Sequence, residues 1–167
     1  HPGDYPSPVP LSGVLRGITP EAIPGTADAL CSEGFRILEV PLNSSRPFES
    51  IRLLAEAYAD RCLVGAGTVL NPADVGRVRD AGGRLIVMPH ADTDVVREAK
   101  RQGMLCLPGV ATPTEAFAAL ASGADGPKIG PAHGRTPPGC RARRRVGARG
   151  TPRVGRGRTR PAQRAGG

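Results

Sequence analysis

Three consecutive pieces of this chain decide its fold: Ile37-Leu38-Glu39-Val40-Pro41-Leu42, then Phe48, Ile51, Leu54 and Tyr58, then Cys62-Leu63-Val64-Gly65-Ala66. The first and third are short apolar runs with little alternation, the pattern of strands buried on both faces of a parallel sheet. The middle four residues recur at three- and four-residue intervals and predict one buried helical stripe. Strand, helix and strand in that order make one βα unit and the start of the next.

Working outward, the same unit recurs on both sides. Further apolar runs occupy residues 11–15, 85–88 and 104–107. Helix ends are legible between them. Thr19-Pro20 reads as an N-cap with Pro at the first helical position, and Gly34 follows the last turn, which leaves Pro24 as an anomaly inside that helix. Asn71-Pro72 opens a helix closed by Gly82, and Thr112-Pro113-Thr114-Glu115 spells a capping box. Marking strand ends at Arg16, Glu39, Gly65, Val87, Leu107 and Lys128 gives spacings of 23, 26, 22, 20 and 21 residues. A period of this size with a strand and a helix in each unit predicts a (β/α) array with right-handed crossovers.

A barrel is favoured over a doubly wound sheet because polar residues stand at the C-terminal end of nearly every strand, where a (β/α)8 barrel collects its functional groups. The expected fold is therefore α/β, a (β/α)8 TIM-type barrel, of which about six strands are recognisable here. The expected divisions are an N-terminal extension over residues 1–10, a barrel portion over 11–132 and an Arg/Gly/Pro-rich tail over 133–167.

The charge follows those divisions. The net +8 of the 167 residues is uneven: residues 1–127 carry 11 basic and 15 acidic groups, whereas residues 134–167 carry 11 arginines and no acid. Such a tail reads as disordered. It could hold nucleic acid through phosphate contacts, but it has no aromatic residue for base stacking, so a nucleic-acid partner is the minor reading. No apolar run approaches the roughly 18 residues of a membrane span, and the first residues do not read as a secretory signal. A cytoplasmic location with no membrane partner is expected. Cys31, Cys62, Cys106 and Cys140 show no zinc-type spacing and are expected to be reduced, structural thiols. No metal and no cofactor is called for.

Four strand-end features supply the parts of imine-type aldol chemistry on a 2-keto acid: Arg16, Glu39, the turn Gly65-Ala66-Gly67-Thr68, and Lys128. A lysine in apolar surroundings offers a neutral amine as nucleophile. A carboxylate beside it moves protons through the carbinolamine and at the carbon that reacts. An arginine forks onto the substrate carboxylate, and a Gly-rich turn lets backbone N–H groups approach it. Each residue also has a plainer reading. Glu39 could be one half of a structural ion pair, Arg16 a surface residue, the turn only a tight βα connection, and His90 a loop histidine.

At these residues the sequence resembles the bacterial 2-keto-3-deoxy-6-phosphogluconate and -phosphogalactonate aldolases. The resemblance rests on Leu15-Arg16-Gly17-Ile18-Thr19-Pro20, Glu39-Val40-Pro41-Leu42-Asn43-Ser44, Val64-Gly65-Ala66-Gly67-Thr68-Val69-Leu70, Pro108-Gly109-Val110-Ala111-Thr112-Pro113-Thr114-Glu115, and Lys128-Ile129. Arg16-Gly17-Ile18 and Pro41-Leu42-Asn43-Ser44 are closer to the phosphogalactonate branch. The resemblance implies a class I aldolase, usually homotrimeric, that cleaves a 6-phosphorylated 2-keto-3-deoxy sugar acid to pyruvate and glyceraldehyde 3-phosphate. It implies Lys128 as the imine-forming residue and Glu39 as acid/base. Arg16, Gly67 and Thr68 would bind the pyruvate carboxylate, and Asn43 and Pro89 would line the pocket.

The match departs at strand six, where the family's Leu-Lys-x-Phe-Pro is Pro127-Lys128-Ile129-Gly130-Pro131. Beyond it, the phosphate-binding strands seven and eight are not recognisable. Val154-Gly155-Arg156-Gly157-Arg158 can be encoded by codons that read Trp-Ala-Val-Gly-Gly one base on, close to the family's seventh-strand motif. An off-frame tail is one alternative; a catalytically impaired barrel fragment with a basic nucleic-acid-binding tail is another.

Overall fold

Short apolar runs become strands, and the stretches between them become helices laid outside. The computed structural model describes residues 11–129, so the N-terminal extension and the Arg/Gly/Pro-rich tail lie outside the described residues. The chain runs β1 (Leu11–Val14), a 3-10 turn (Pro20–Ala22), α1 (Ile23–Ser32), β2 (Phe35–Pro41), α2 (Pro47–Tyr58), β3 (Leu63–Gly67) and α3 (Pro72–Asp80). It continues with β4 (Leu85–Val87), α4 (Thr93–Arg101), β5 (Leu105–Leu107), β6 (Gly109–Val110), α5 (Pro113–Ala121) and β7 (Lys128–Ile129).

Strands β1 to β5 pair in sequential order and every pairing is parallel. A doubly wound sheet reverses its strand order at a switch point; this one does not, and sequential order is what a (β/α) barrel wall requires. The expected fifth strand is found as β5, and a further short strand, β6, follows it across Pro108, which has no N–H for the ladder. The wall nevertheless continues across the break. Gly109 N–H donates to Met88 O at 2.9 Å on one side, and Lys128 N–H donates to Pro108 O at 2.7 Å on the other. β6 and β7 then pair in parallel, so the sixth predicted position is filled by Lys128–Ile129.

The stripe on α2 packs inward as predicted: Ile51, Leu54 and Tyr58 are buried, with Leu38, Val40, Val64 and Ala66 from β2 and β3 in the same core. Each such Leu, Ile or Val contributes roughly 1.5–3 kcal/mol by leaving water. Phe48, the stripe's first residue, is only half-buried, and the Arg77 guanidinium lies over its ring at 4.0 Å.

The capping signals act as predicted at two helices. The Asn71 side chain accepts from Ala73 N–H at 2.9 Å, and Thr112 and Glu115 complete the capping box. The first helix differs. Thr19 makes no side-chain cap bond and leads into the 3-10 turn, and α1 starts only at Ile23. Pro24 is then in the first helical turn, where a missing N–H costs nothing, so the anomaly disappears.

Candidate active site

Parallel register brings the strand ends to one level. Glu39 of β2 pairs with Val14 of β1 on one side and Gly65 of β3 on the other, while Pro41 pairs with Gly67. The connections that leave those ends are laced together. Leu15 N–H donates to Glu39 O at 2.9 Å, Leu42 N–H to Gly67 O at 2.9 Å, and Val69 N–H to Val87 O at 3.3 Å. Arg16, Asn43, Thr68 and Pro89 follow directly after these ends, so the topology sets them around the same mouth.

The centre of the mouth is Glu39, a carboxylate only 4% exposed, with Oε2 lacking any hydrogen-bond partner among the described residues. A buried, unpaired carboxylate is costly and calls for a reason. Burial pushes its pKa above the ordinary carboxylate value, and the positive charges of Lys128 and Arg16 pull part of the way back. Neither cation comes within ion-pair distance of it, so among the described residues Glu39 is not half of a structural salt bridge. Gly67 completes the arrangement from below. A Cβ there would stand 2.7 Å from Glu39 Oε2, so the missing side chain is what admits the carboxylate.

The expectation for Lys128 is corrected in one respect. Its backbone is where the sixth strand end was expected, and its charge reaches Glu39, but the residue is exposed rather than set in apolar surroundings. The reason is that β7 has two residues and pairs only with β6 among the described residues, leaving Ile129 81% exposed.

The other lysine in the chain is differently used. Lys100 Nζ donates to both Asp125 oxygens at 2.8 Å and to Met104 O at 3.2 Å, and Asp125 Oδ2 accepts from Cys106 N–H at 2.8 Å. This cluster ties α4 and β5 to the segment entering β7, which makes it a support for Lys128 rather than a rival to it.

Backbone strain gathers at the same end. Among the described residues the two non-glycine residues with positive φ are Arg46 (45°) and Thr68 (55°), in the loops after β2 and β3. A β-branched residue held left-handed costs about 1–3 kcal/mol and persists where the surroundings fix it for a purpose. Thr68 is half-buried; Arg16, Asn43, Pro89 and His90 are exposed.

Two residues that sequence reasoning passed over tie the loops together. Ser44 Oγ accepts from Gly17 N–H at 3.3 Å, beside Arg16. Arg46 bridges Glu21, from the first loop, and Glu49, from α2. The left-handed conformation of Arg46 is a structural fact with no signal in a string of residue types. The Ser44 contact spans 27 residues, which local patterning cannot reach.

Two surface grooves lie elsewhere. One runs over Phe48, Arg52, Arg77 and Asp80 between α2 and α3; the other opens at the N-terminal ends of the strands, beside Cys31 and Arg61. Neither contains the buried carboxylate. In a (β/α) wall the N-terminal face serves stability and the C-terminal face chemistry, so the mouth around Glu39 is the better candidate.

Comparison with known proteins bears on the family of the chain. The family described as "Aldolase: KDPG and KHG aldolase" matches residues 9–137. A probable 2-dehydro-3-deoxy-6-phosphogalactonate aldolase from Rhizobium meliloti is 48% identical over 137 residues, 82% of this chain and 65% of that protein. The 2-dehydro-3-deoxy-6-phosphogalactonate aldolase of Escherichia coli is 45% identical over 123 residues, 74% of this chain and 60% of that one. A solved structure described as native KDPGal superposes with a TM-score of 0.71 at 43% identity, covering 75% of this chain and 61% of that one. The chain thus spans under two thirds of the length of these relatives. With a match over residues 9–137, which takes in every described strand, the chain belongs to the KDPG and KHG aldolase family.

Proposed function

We propose that this chain is a class I aldolase that cleaves a 2-keto-3-deoxy-6-phospho sugar acid to pyruvate and glyceraldehyde 3-phosphate, with the phosphogalactonate epimer as its substrate. The observation that carries the proposal is the buried Glu39 carboxylate at the strand C-terminal ends, without a hydrogen-bond partner among the described residues and within electrostatic reach of Lys128 and Arg16. The preference for the galactonate epimer is supported by the two relatives of that name and by Pro41-Leu42-Asn43-Ser44.

The chemistry follows from those groups. Lys128 Nζ, as the neutral amine, adds to the C2 carbonyl, and Glu39 carries the proton that lets the carbinolamine lose water and become an iminium. The C4 hydroxyl gives its proton to a base, the C3–C4 bond breaks, and its electron pair flows into the iminium to leave an enamine. Glyceraldehyde 3-phosphate departs as the aldehyde. A protonated Glu39, poised by its raised pKa, returns a proton to the enamine carbon, and water hydrolyses the imine to free pyruvate and Lys128. Arg16 offers a charge-assisted fork to the pyruvate carboxylate, with Thr68 and the Gly67 backbone beneath it and Asn43 and Pro89 at the rim. The barrel portion is assigned to residues 11–132, the assembly is proposed as a homotrimer, and the location as cytoplasmic. No helix among the described residues is long and apolar enough to cross a membrane.

The test needs only pyruvate. Borohydride reduction of the full chain in the presence of pyruvate should leave a stable adduct on Lys128, found by peptide mass spectrometry and absent from Lys128→Arg. Cleavage of the two phosphorylated epimers, followed through pyruvate release, then reads the preference. A folded protein that gives no adduct, or an adduct on Lys100, refutes the assignment.

A further inference from the structure

The face opposite the mouth carries a pair of groups that the aldol chemistry does not use. Cys31 stands in the last turn of α1 and Cys62 immediately ahead of β3, and their Sγ atoms are 2.9 Å apart. Both side chains are buried, and both backbones are held. Cys62 N–H donates to Tyr58 O at 2.8 Å, while Cys31 O accepts from the Arg36 guanidinium at 3.2 Å. A disulfide needs its sulfurs about 2.0 Å apart, so closing this gap takes under about 1 Å, within the reach of small side-chain rotations. Cys31 also lines an open groove of about 620 Å³ with Asp28, Ser32, Arg36, Asp60 and Arg61, which gives a small reagent a way in. Cys106 makes the contrast: it is fully buried at β5, and its backbone N–H is held by Asp125 rather than its sulfur by a second thiol.

We propose that Cys31 and Cys62 form an intramolecular disulfide that staples α1 to the head of β3 when the protein meets a low-molecular-weight disulfide. In the reaction the Cys31 thiolate attacks one sulfur of the reagent RSSR, forming a mixed disulfide and releasing one RS⁻. Cys62, as thiolate, then attacks the Cys31 sulfur and expels the second RS⁻. The two protons lost by the cysteines reappear on the two RSH products, so two protein thiols are oxidised and one RSSR is reduced. Arg36 and Arg61 in the groove are balanced by Asp28 and Asp60, so its charge does not select the reagent, and glutathione disulfide serves as the probe. Burial holds the Cys62 thiol up to about 11, so little thiolate is present at neutral pH and the bond forms slowly. The pair is therefore a staple rather than a fast sensor. From Cys62, just ahead of β3, to Gly67 beneath Glu39 is roughly 17 Å at the rise of an extended strand, so the staple sits clear of the mouth.

The test uses the full chain, folded, treated with glutathione disulfide or with dithiothreitol, then alkylated in denaturant and digested. Mass spectrometry should find the Cys31 and Cys62 peptides joined and lighter by two hydrogens, the link disappearing on reduction. The thermal midpoint should rise by about 5 °C or more on oxidation, since the bond closes a loop of some thirty residues in the unfolded chain. The same treatment of Cys140→Ser should give the same link, and Cys62→Ala should lose both link and shift. Recovery of Cys31 and Cys62 as separately alkylated or glutathionylated peptides from the oxidised folded protein overturns the proposal. So do links to Cys140 alone. A link without a rise in midpoint overturns its role as a staple.

Discussion

Two glycines of β3, two residues apart, should fail in different ways when given a methyl group. A Cβ on Gly65 would lie 2.1 Å from Leu85 O and 2.5 Å from Leu85 Cβ, on the neighbouring strand's backbone. Ordinary contact is about 3.5 Å, so β3 and β4 would have to part by over 1 Å. Those strands pair through only Gly65↔Leu85 and Ala66↔Ile86, and parting them gives up that part of the wall. Gly65→Ala should cost about 3 kcal/mol or more, a large share of a typical total stability. A Cβ on Gly67 instead meets Glu39 Oε2 at 2.7 Å, the end of a side chain that can withdraw. The carboxylate needs to retreat by about 0.8 Å, which should cost about 1 kcal/mol in stability. In catalysis a displacement near 1 Å costs on the order of 10²-fold.

The assays separate the two outcomes. Thermal melts read the fold; deuterium exchange into the pyruvate methyl group, followed by proton NMR, reads the step assigned to Glu39; borohydride trapping reads Lys128. Gly65→Ala should melt far below the parent or fail to fold. Gly67→Ala should melt within a few degrees, still give the Lys128 adduct once trapping is allowed to run to completion, and exchange deuterium about 10²-fold more slowly. Full exchange by Gly67→Ala would show that Glu39 does not move that proton, whatever Lys128 does.

Glu39→Gln should raise the thermal midpoint at pH 8. Because the folded pKa is raised, the native state favours the protonated form, so the parent loses stability as pH climbs above the unfolded value near 4.3; the gap should close towards pH 4, and a gap independent of pH would refute the burial argument. Asp125→Asn should do the reverse. Burial raises this carboxyl, but the Lys100 and Cys106 hydrogen bonds outweigh it and leave the pKa lowered, so the variant should be less stable than the parent at pH 7, with the gap narrowing as pH falls below the unfolded value near 3.9, and with less adduct on Lys128 as β7 loosens. Thr68→Gly should gain about 1 kcal/mol in denaturant melts by releasing the left-handed strain, while the pyruvate concentration needed for half-maximal trapping rises several-fold. Arg46→Ala should leave trapping at saturating pyruvate close to the parent but raise that same half-maximal concentration, since it unties the loop that bears Arg16 from the one that bears Asn43.

The wall of the fold was legible in the sequence because burial writes itself into residue type. Five of the six strand positions follow from apolar runs, and the sixth, at Lys128, as well as the sequential pairing, follows from short, regular spacing. Caps at Asn71 and Thr112 were legible for the same local reason: donor, acceptor and spacing are all in the string. Thr19 misled because it has the same residue types, yet the chain winds a 3-10 turn before α1 starts. The mouth was legible in its membership, since a carboxylate between Leu38 and Val40 had to be paired or functional. Its geometry was not. That Gly67 is the floor under Glu39, that Ser44 holds Gly17 and that Lys100 is engaged by Asp125 are all contacts across different βα units. Residue order carries no record of such distances. The surroundings of Lys128 depend on what lies on both sides of its strand, and the described residues cover one side.

Strand β3 joins the two halves of the argument. Its upper end must stay thin: Gly65 lets β4 approach and Gly67 lets a buried carboxylate in, so this end sacrifices side-chain packing for access. A strand thinned in that way is weakened beside the proposed site, and Thr68, held left-handed just beyond it, adds strain to the same end. The lower end answers with packing. Cys62 is buried against Cys31, its backbone is tied to Tyr58, and the Tyr58 hydroxyl bonds Asp28 and Pro24 O at 3.0 Å each on α1. Anchoring the base while leaving the mouth open is the division of labour a (β/α) wall permits. On this view a covalent link at Cys31–Cys62 raises the melting temperature with no change in the Glu39-dependent exchange, because the two ends of β3 do different work.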